Sequence, residues 1–313
     1  MLPSLLKSQK VTAGTNMAKF DIGSIVDEVK SSFKDEKISR KIGLGTNLPT
    51  LTEDDYIKMP EWWQKSTNTL GLPYGRLVMI AGGSDSGKTV CCIQAIKSAL
   101  EQGAAVIYCD TELKTSAKDM ETWGVDASQV MIVQTAVSEE LYEYLFTLWD
   151  KFKDKYPDTP LLVIIDSLGN MISLRDSEID LTEQSSQPGG KGKINRLGLS
   201  KIVSRMHSDS KISVLLVSYT YDQIGMGHGK VNAGGKSLDF YSSLTYQTAR
   251  KGWIEKTVKG ERVRTGAEVI WKLYKNHLNK DFPGSKQIVL RITSGNVELV
   301  GQSNKEEEDD SEE

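Results

Sequence analysis

The sequence has 313 residues, which is enough for one large domain or two small domains with a packed core. Apolar residues make up 38% of it, but no apolar run approaches the roughly 18 residues needed to span a bilayer, so we expect no membrane partner. Its three cysteines lie in apolar surroundings, which is typical of buried thiols in a reducing cytosol rather than of ligands, nucleophiles or disulfides. The sequence therefore predicts a cytoplasmic protein.

The net charge of −3 conceals an uneven distribution. Residues 305–313 carry a net charge of −6, so the remaining 304 residues carry +3. An acidic end of this kind is usually a solvated, disordered tail, although some acidic tails screen a basic surface from nucleic acid. We expect residues 303–313 to be such a tail.

The first 50 residues are polar and only weakly periodic. The first 20 lack the apolar centre and cleavage site of a signal peptide, which favours a flexible arm. Ile22–Phe33 has apolar residues at helical spacing and predicts a short helix, whereas Lys41–Leu51 predicts a loop. We expect residues 1–60 to form an N-terminal arm and oligomerisation segment whose partner lies outside the main core.

Residues 61–302 are expected to form that core. From Arg76 onward, buried strands alternate with helices, and Ser138 is placed as the N-cap of the long third helix. The predicted strands are 77–80, 105–110, 130–134, 161–166 and 213–219, and the predicted helices are 90–100, 116–123, 138–156 and 193–206. Continuous apolar strands between helices indicate an α/β fold with a mostly parallel sheet covered by helices on both faces.

The pattern changes after Leu244. Residues 244–258 and 262–274 predict two strands joined at Lys259-Gly260, and 287–292 and 297–300 predict another pair around Ser294-Gly295. The simplest interpretation is an antiparallel C-terminal extension of the sheet.

A phosphate-binding loop follows the first predicted strand of the core. Gly82, Gly87, Lys88 and Thr89 complete the pattern G-x-x-x-x-G-K-[ST] between that strand and the next helix. The backbone N–H groups of such a loop hold a polyphosphate, the lysine reaches the β and γ phosphates, and the threonine hydroxyl can bind Mg²⁺. The predicted nucleotide-binding residues of the loop are Gly82, Gly83, Ser84, Asp85, Ser86, Gly87, Lys88, Thr89 and Val90.

Carboxylates follow two neighbouring predicted strands. Asp166 ends the strand 161–166, and a carboxylate there faces the phosphates and can hold Mg²⁺ with Thr89. Glu112 lies just beyond the strand 105–110, where it can orient and deprotonate a water molecule for hydrolysis. Asp110 is an alternative for that role, or it caps the following helix.

Four segments in register resemble the RecA-type recombinases. They are LPYGRLVMIAGGSDSGKT (72–89), Asp110-Thr111-Glu112, VIIDSLGN (163–170) and GGKSLDFYS (234–242), within a resemblance that covers about residues 62–292. The Asp-Ser-Leu-Gly-Asn run is particularly similar to the phage branch, the UvsX-like proteins. The resemblance implies a RecA-like P-loop ATPase core that lacks the small C-terminal domain of the bacterial members.

Several residue roles are implied by this resemblance alone. Lys88, Thr89 and Asp166 would hold ATP and Mg²⁺, and Glu112 would be the catalytic carboxylate. The segments 171–195 and 221–236 would be two DNA-binding loops, although glycine-rich stretches of this kind are often only surface loops. The residues expected to meet DNA are Lys191, Lys193, Arg196, Met226, His228, Lys230 and Lys236.

Two positions depart from the family pattern. Tyr219 stands where the family places a glutamine or histidine that senses the γ-phosphate, so it is either a catalytic switch or a packed strand-end side chain. Lys275 matches a lysine that reaches the γ-phosphate of a neighbouring subunit, but the second such position is His277, with Lys280 as a possible substitute.

The resemblance implies a DNA-dependent ATPase that forms helical filaments on single-stranded DNA. It would pair that strand with homologous duplex DNA and exchange strands in recombination, repair and recombination-linked replication. A single-strand binding protein and a loading mediator would be partners, and a phage protein would act in the host cytoplasm. The alternatives are a recombination mediator or regulatory filament without strand exchange, a RecA-like ring helicase motor, and a metabolic P-loop kinase.

Overall fold

The computed structural model describes residues 21–34, 42–47, 50–179, 190–208, 211–222, 230–232, 237–279 and 287–302. It divides into two compact units, residues 1–50 and 51–313. Helix α1 (Ile22–Ser32) belongs to the first unit, as the sequence predicts. Asp21 caps it by accepting a hydrogen bond from the backbone N–H of Ser24 at 3.1 Å.

The second unit is an α/β structure built on one large sheet. Its sheet strands are β3 (Leu77–Gly82), β4 (Ala105–Asp110), β5 (Val130–Gln134), β6 (Leu161–Asp166), β7 (Ile212–Asp222), β8 (Lys230–Asn232), β9 (Ser242–Val258), β10 (Glu261–Asn276), β11 (Gln287–Thr293) and β12 (Asn296–Gln302). A separate pair consists of β1 (Tyr56–Lys58) and β2 (Gly71–Pro73). The helices are α2 (Glu61–Thr67), α3 (Lys88–Glu101), α4 (Ala117–Thr122), α5 (Ser138–Lys155), α6 (Leu174–Glu178), α7 (Gly190–Ser208) and α8 (Ser237–Tyr241).

The strand order is β12-β11-β10-β9-β3-β7-β6-β4-β5, with β8 paired to β7. From β9 to β5 the neighbouring strands are parallel, whereas β10, β11 and β12 continue the sheet as antiparallel neighbours. This arrangement confirms the predicted parallel sheet with an antiparallel extension. Because parallel strands carry their carboxyl ends at one edge, Gly82, Asp110, Asp166 and Tyr219 meet there.

The sheet separates two hydrophobic cores. Along β3, Val78 and Ile80 pack into the core beneath α2 and α3, whereas Leu77 and Met79 pack into the core beneath α5 and α7. Both faces are therefore buried, which explains why the strand is continuously apolar instead of alternating. Burial of each such side chain contributes about 1.5–3 kcal/mol to folding.

An aromatic cluster joins α2 to the antiparallel side of the sheet. Trp63 lies 4.7 Å from Tyr246 and 5.0 Å from Trp271 between ring centroids, and Trp62 lies 5.6 Å from Trp271. Each such pair adds about 0.5–1.5 kcal/mol beyond the burial of its area. Residues 51–60, assigned from the sequence to the arm, pack here instead, because β1 pairs with β2 and buries Ile57 in the same core.

Three local expectations are corrected. Ser138 is the first helical residue of α5, not its N-cap, because the chain leaves its extended conformation at Val137. Part of the expected first DNA-binding loop is helical, since α6 lies within it and α7 begins at Gly190. Part of the second expected loop is extended, because β7 reaches Asp222 and pairs with β8.

The rest of these segments, residues 180–189, 223–229 and 233–236, lies outside the described part of the chain. Residues 1–20, 35–41 and 48–49 of the expected arm and the whole acidic tail also lie outside it. Within the described part, no helix is long and apolar enough to cross a membrane. Cys91, Cys92 and Cys109 are buried free thiols, and burial raises the pKa of each, as expected for packing residues.

Candidate nucleotide-binding site

The loop between β3 and α3 has the backbone shape of a phosphate cradle. Gly87 has a φ of 83° immediately before the first residue of α3, and a Cβ there would lie 2.5 Å from Cδ1 of Ile292. A Cβ on Gly82 would overlap the carbonyl oxygen of Thr248 on β9. Glycine suits both positions, because Gly87 needs a left-handed backbone and Gly82 has no room for a Cβ beside the backbone of β9. The loop therefore presents its N–H groups at the start of a helix, where anions bind.

Lys88 lies inside this cradle. Its side chain is buried, and Nζ donates a hydrogen bond to the carbonyl oxygen of Gly83 at 2.5 Å. The ammonium group also lies 4.2 Å from the ring centroid of Tyr219. Burial lowers the pKa of Lys88, although the carboxylates of Asp166 and Glu112 act in the opposite direction. A phosphate bound in the loop would form an ion pair with the Lys88 ammonium group, which these contacts hold in place.

Thr89 and Asp166 form the hard-oxygen pair that Mg²⁺ prefers. Thr89 Oγ1 donates to Asp166 Oδ2 at 2.8 Å, across 77 positions of sequence. Burial raises the pKa of Asp166 to about 6, although hydrogen bonds from Thr89 and Tyr108 oppose that effect. A buried carboxylate beside a threonine hydroxyl fits a magnesium ion that keeps several of its waters.

Glu112 faces the same space from the end of β4. Its Oε1 accepts a hydrogen bond from Ser167 Oγ at 3.0 Å, and its Oε2 lies 3.0 Å from Lys114 Nζ. Burial would raise the pKa of Glu112, but hydrogen bonds from Tyr219, Lys114 and Ser167 outweigh it and hold the pKa below its usual value. The carboxylate is therefore ionised at neutral pH, as a general base must be.

Asp110, the alternative base, is turned toward the backbone. Its Oδ1 accepts from the N–H of Glu112 at 3.1 Å and its Oδ2 from the N–H of Thr115 at 3.0 Å. The side chain is buried, so it shapes the turn that carries Glu112. Of the two carboxylates, Glu112 lines the cavity into which the loop opens, and Asp110 does not.

Tyr219 lies between the loop and Glu112. It is aligned with Gly82 in the β3–β7 register and is only half-buried. Its ring contacts the Lys88 ammonium, and its hydroxyl hydrogen-bonds the Glu112 carboxylate. Burial and this carboxylate raise the pKa of the tyrosine hydroxyl. Its environment is therefore the polar site and not the sheet core.

The loop opens into a cavity of about 430 Å³. Loop residues, Glu112 and Tyr219 form one side of it, and apolar side chains from the antiparallel strands, including Val269 and Ile292, form the other. Lys114, Trp123 and Trp253 also line it, and the sequence analysis did not single them out. Lys114 could have been noticed from its spacing to Glu112, but no local pattern brings Trp253 to the loop.

Other predicted site residues lie elsewhere. Lys275 is half-buried near the C-terminal end of β10, where its ammonium group donates a hydrogen bond to the carbonyl oxygen of Asp239. In the sheet, Lys275 is aligned with Thr245 of β9, and Thr245 is aligned with Met79 of β3. Met79 precedes Gly82 by three residues, so Lys275 lies away from the cavity of its own chain. Lys280 lies outside the described residues.

Two of the predicted DNA contacts can be placed in full. Lys193 and Arg196 are exposed on α7. Lys191 in α7 and Lys230 in β8 are described only by their backbone. Met226, His228 and Lys236 lie outside the described part of the chain.

Comparison with known proteins agrees with this geometry. The model of the RecA N-terminal domain matches residues 64–295. The RecA protein of Fusobacterium nucleatum is 29% identical over 235 residues, which are 74% of this chain and 58% of that protein. The RecA protein of Malacoplasma penetrans is 26% identical over 202 residues, which are 64% of this chain and 56% of that protein. The chain thus matches less than two thirds of the length of either relative. Its nucleotide site lies within the region that the RecA N-terminal domain matches. The chain belongs to the RecA family.

Proposed function

We propose that this chain is a DNA-dependent ATPase that assembles into helical filaments on single-stranded DNA and exchanges strands with homologous duplex DNA. The supporting observation is that Lys88, Thr89, Asp166 and Glu112 line two cavities at the carboxyl edge of the parallel sheet, which share Thr89 and Glu112. Those residues lie on three different strand–helix junctions, and each has the chemistry that its role in phosphoryl transfer requires.

ATP and Mg²⁺ are the proposed ligands. The loop N–H groups and Lys88 would bind the β and γ phosphates, while Thr89 and Asp166 would hold the metal, which neutralises charge on the phosphate oxygens. Glu112 would accept a proton from a water molecule as that water attacks the γ-phosphorus, and ADP would leave. Hydrogen bonds from Tyr219, Lys114 and Ser167 hold this carboxylate in its ionised form.

A link from the nucleotide to DNA is supported by the course of β7. Tyr219 contacts both Lys88 and Glu112, and two residues later the same strand enters the segment proposed as the second DNA-binding loop. A γ-phosphate that displaced the Lys88 ammonium would change the contacts of Tyr219. ATP would then favour one arrangement of that loop and hydrolysis another, which is a shift between two populations.

Finer parts of the proposal depend on the sequence resemblance. The Asp-Ser-Leu-Gly-Asn run at 166–170 supports assignment to the phage UvsX-like branch. We further propose action in the cytoplasm, that of the host for a phage protein, in recombination, repair and recombination-linked replication. A single-strand binding protein and a loading mediator are the proposed accessory partners. The N-terminal arm with α1 would link neighbouring subunits, and Lys275 would serve the nucleotide of a neighbour.

The test measures ATP hydrolysis with and without single-stranded DNA, and the same mixtures are viewed by negative-stain microscopy. DNA should raise the hydrolysis rate and filaments should appear in the presence of ATP. Lys88→Ala should abolish both, while Lys118→Ala, at an exposed lysine on α4, should change neither. An unchanged hydrolysis rate on addition of DNA, without filaments, would refute the proposal.

One alternative retains support. Tyr219 and His277 differ from the family pattern, which favours a regulatory filament that binds ATP and DNA without exchanging strands. A strand-exchange assay with homologous duplex separates the two, because only the recombinase converts it to product. ATP-driven unwinding by a closed hexamer would instead indicate a ring helicase motor.

A further inference from the structure

The phosphate loop contains an acidic side chain. Asp85 has a φ of 53°, and its carboxylate is largely exposed at the rim of the cavity that holds Lys88 and Thr89. Its charge acts on both Lys88 and Tyr219. A carboxylate at this place repels a polyphosphate, since like charges near a phosphate site weaken binding. A short polar residue suits the left-handed backbone, but asparagine or glycine would suit it equally without the charge.

An arginine from a distant strand neutralises this carboxylate. Arg250 Nη1 lies 3.1 Å from Asp85 Oδ2, although 165 positions separate the two residues. Arg250 follows Thr248 on β9, and Thr248 is aligned with Gly82 of the loop, so the strand runs directly past the phosphate site. The pair is a charge-assisted hydrogen bond at the mouth of the cavity.

The guanidinium of Arg250 is held on its other side by an aromatic ring. It lies 4.4 Å from the ring centroid of Trp253, and the guanidinium of Arg264 lies 4.6 Å from the same ring. Arg264 is also near Glu255, with 3.8 Å between Nε and Oε1. Trp253 itself lines the cavity. Arg250 is therefore placed by two contacts, one to the loop and one to Trp253, three positions further along its own strand in the β9–β10 hairpin.

Stability alone is a poor explanation for the arrangement. Asp85 is 60% exposed and Arg250 35% exposed, and ion pairs at such positions contribute little to folding because water screens them. A cation fixed beside the only acidic side chain of the loop has a larger effect on a ligand that carries several negative charges. The effect should grow with the number of phosphates.

We propose that Arg250 is a positioning residue for polyphosphate binding, which acts by neutralising Asp85 and is itself held in place by Trp253. The β9–β10 hairpin is thereby connected to the nucleotide site, and a displacement of the hairpin would uncover the Asp85 charge and weaken nucleotide binding. This inference rests on the proposed function only in taking a nucleoside triphosphate as the ligand.

The test is a double-mutant cycle on nucleotide affinity, measured by calorimetry with Mg-ATP, Mg-ADP and AMP at low and moderate salt. Arg250→Ala should weaken Mg-ATP binding about tenfold, Mg-ADP binding about threefold and AMP binding least, because the exposed charge repels in proportion to ligand charge. Salt should reduce the ATP effect. Asp85→Asn keeps the backbone preference and removes the charge, so it should bind Mg-ATP at least as tightly as the wild type.

The decisive variant is Asp85→Asn with Arg250→Ala, whose Mg-ATP affinity should return to within about threefold of the wild type. Arg250→Lys should lie between the wild type and Arg250→Ala, because a lysine keeps the charge and loses the planar fork. Arg262→Ala removes the same charge from an exposed position on the hairpin and should change nothing.

Equal weakening by Arg250→Ala in the presence and absence of Asp85 would overturn the inference, as would equal effects on ATP and AMP. Failure of DNA to stimulate hydrolysis would refute the proposed function. The double-mutant cycle would still measure the interaction between Asp85 and Arg250. A wild-type protein that bound none of the three nucleotides would refute both.

Discussion

The parallel and antiparallel halves of the sheet are built differently. Strands β3 and β6 are buried at every position, because helices cover both faces of the parallel half. Strands β9 and β10 are buried only toward the ends that pair beside β3, and their far ends form an exposed hairpin closed at Lys259-Gly260. Burial on both faces fixes the parallel strands, whereas the hairpin is supported by its own pairing and by surface contacts.

The two halves of the sheet contribute different kinds of side chain to the candidate site. The parallel half supplies the charged groups, since Lys88, Glu112 and Asp166 all follow its strands. The antiparallel strands β10 and β11 supply the apolar wall of the cavity through Val269 and Ile292. Strand β9, which pairs with both halves, supplies Arg250 beside the loop. The charged groups are thus held beside the half of the sheet that is buried on both faces, whereas the hairpin is more exposed to a neighbour or a ligand.

The largest effect is expected where the two halves share a core. Trp271→Ala should lower the free energy of unfolding by about 3–5 kcal/mol, because it removes a fully buried ring that contacts Trp62, Trp63 and Tyr246. Urea unfolding measures this change. Trp253→Ala, on the exposed hairpin of the same strand pair, should cost less than about 1 kcal/mol. Equal losses would show that the Trp253 ring contributes as much packing as the buried Trp271 ring.

The next effect concerns the parallel half alone. Glu112→Gln should lower the turnover number for ATP roughly 10²- to 10³-fold and leave the Michaelis constant within about threefold, because the amide keeps the shape of the side chain but cannot take a proton. Filaments of this variant should remain in the arrangement that ATP favours. Glu121→Gln, at an exposed carboxylate on α4, is the control. Normal turnover in Glu112→Gln would remove this residue from its assigned role.

A smaller effect is expected on the pH dependence of stability, through the buried carboxylate of Asp166. The pKa of Asp166 is about 6, raised by burial from a usual value near 3.8, so the folded protein binds more protons than the unfolded chain between these two pH values. The contribution of this residue to stability is therefore present below about pH 4 and is lost as pH rises through about 6.

Asp166→Asn should accordingly be more stable than the wild type at pH 7.5 in EDTA, by about 1–3 kcal/mol, and the difference should vanish near pH 4. Urea unfolding at several pH values measures it. Asp154→Asn, at an exposed position on α5, should show no such difference. Added Mg²⁺ with ATP should reverse the order of wild type and Asp166→Asn. A difference that did not depend on pH would assign the effect to packing.

The smallest effects are expected at single DNA contacts. Lys193→Ala and Arg196→Ala, both exposed on α7, should each weaken single-stranded DNA binding a few-fold and lower the salt slope by about 0.7, because each phosphate contact releases counterions. Neutralising Lys191, Lys230 or Lys236 should act likewise. Lys151→Ala, exposed on α5, is the control, measured by fluorescence anisotropy at several salt concentrations. An unchanged slope would exclude the residue from the DNA surface.

Local sequence was informative wherever one strong pattern covered a short stretch. The strand, glycine loop and helix at 77–101 were predicted in place, and so were the carboxylate at the end of β6 and the turns at 259–260 and 294–295. Continuous apolar runs and glycines at positive φ are dictated by burial and backbone sterics, which neighbouring residues reveal. The first residue of α5 was misjudged because Ser138 satisfies the local capping pattern while tertiary packing buries its side chain.

The sequence by itself determined the phosphate loop, the parallel core and the chemical identity of Lys88, Thr89, Glu112 and Asp166. The tertiary structure alone decided that Asp110 serves the backbone, that Tyr219 contacts both Lys88 and Glu112, and that Arg250 neutralises Asp85. The contacts of Tyr219 and Arg250 depend on strand order and register, which bring side chains more than 100 positions apart within a few ångströms of each other. No local pattern carries that information, because contact across a sheet is set by the packing of the whole core.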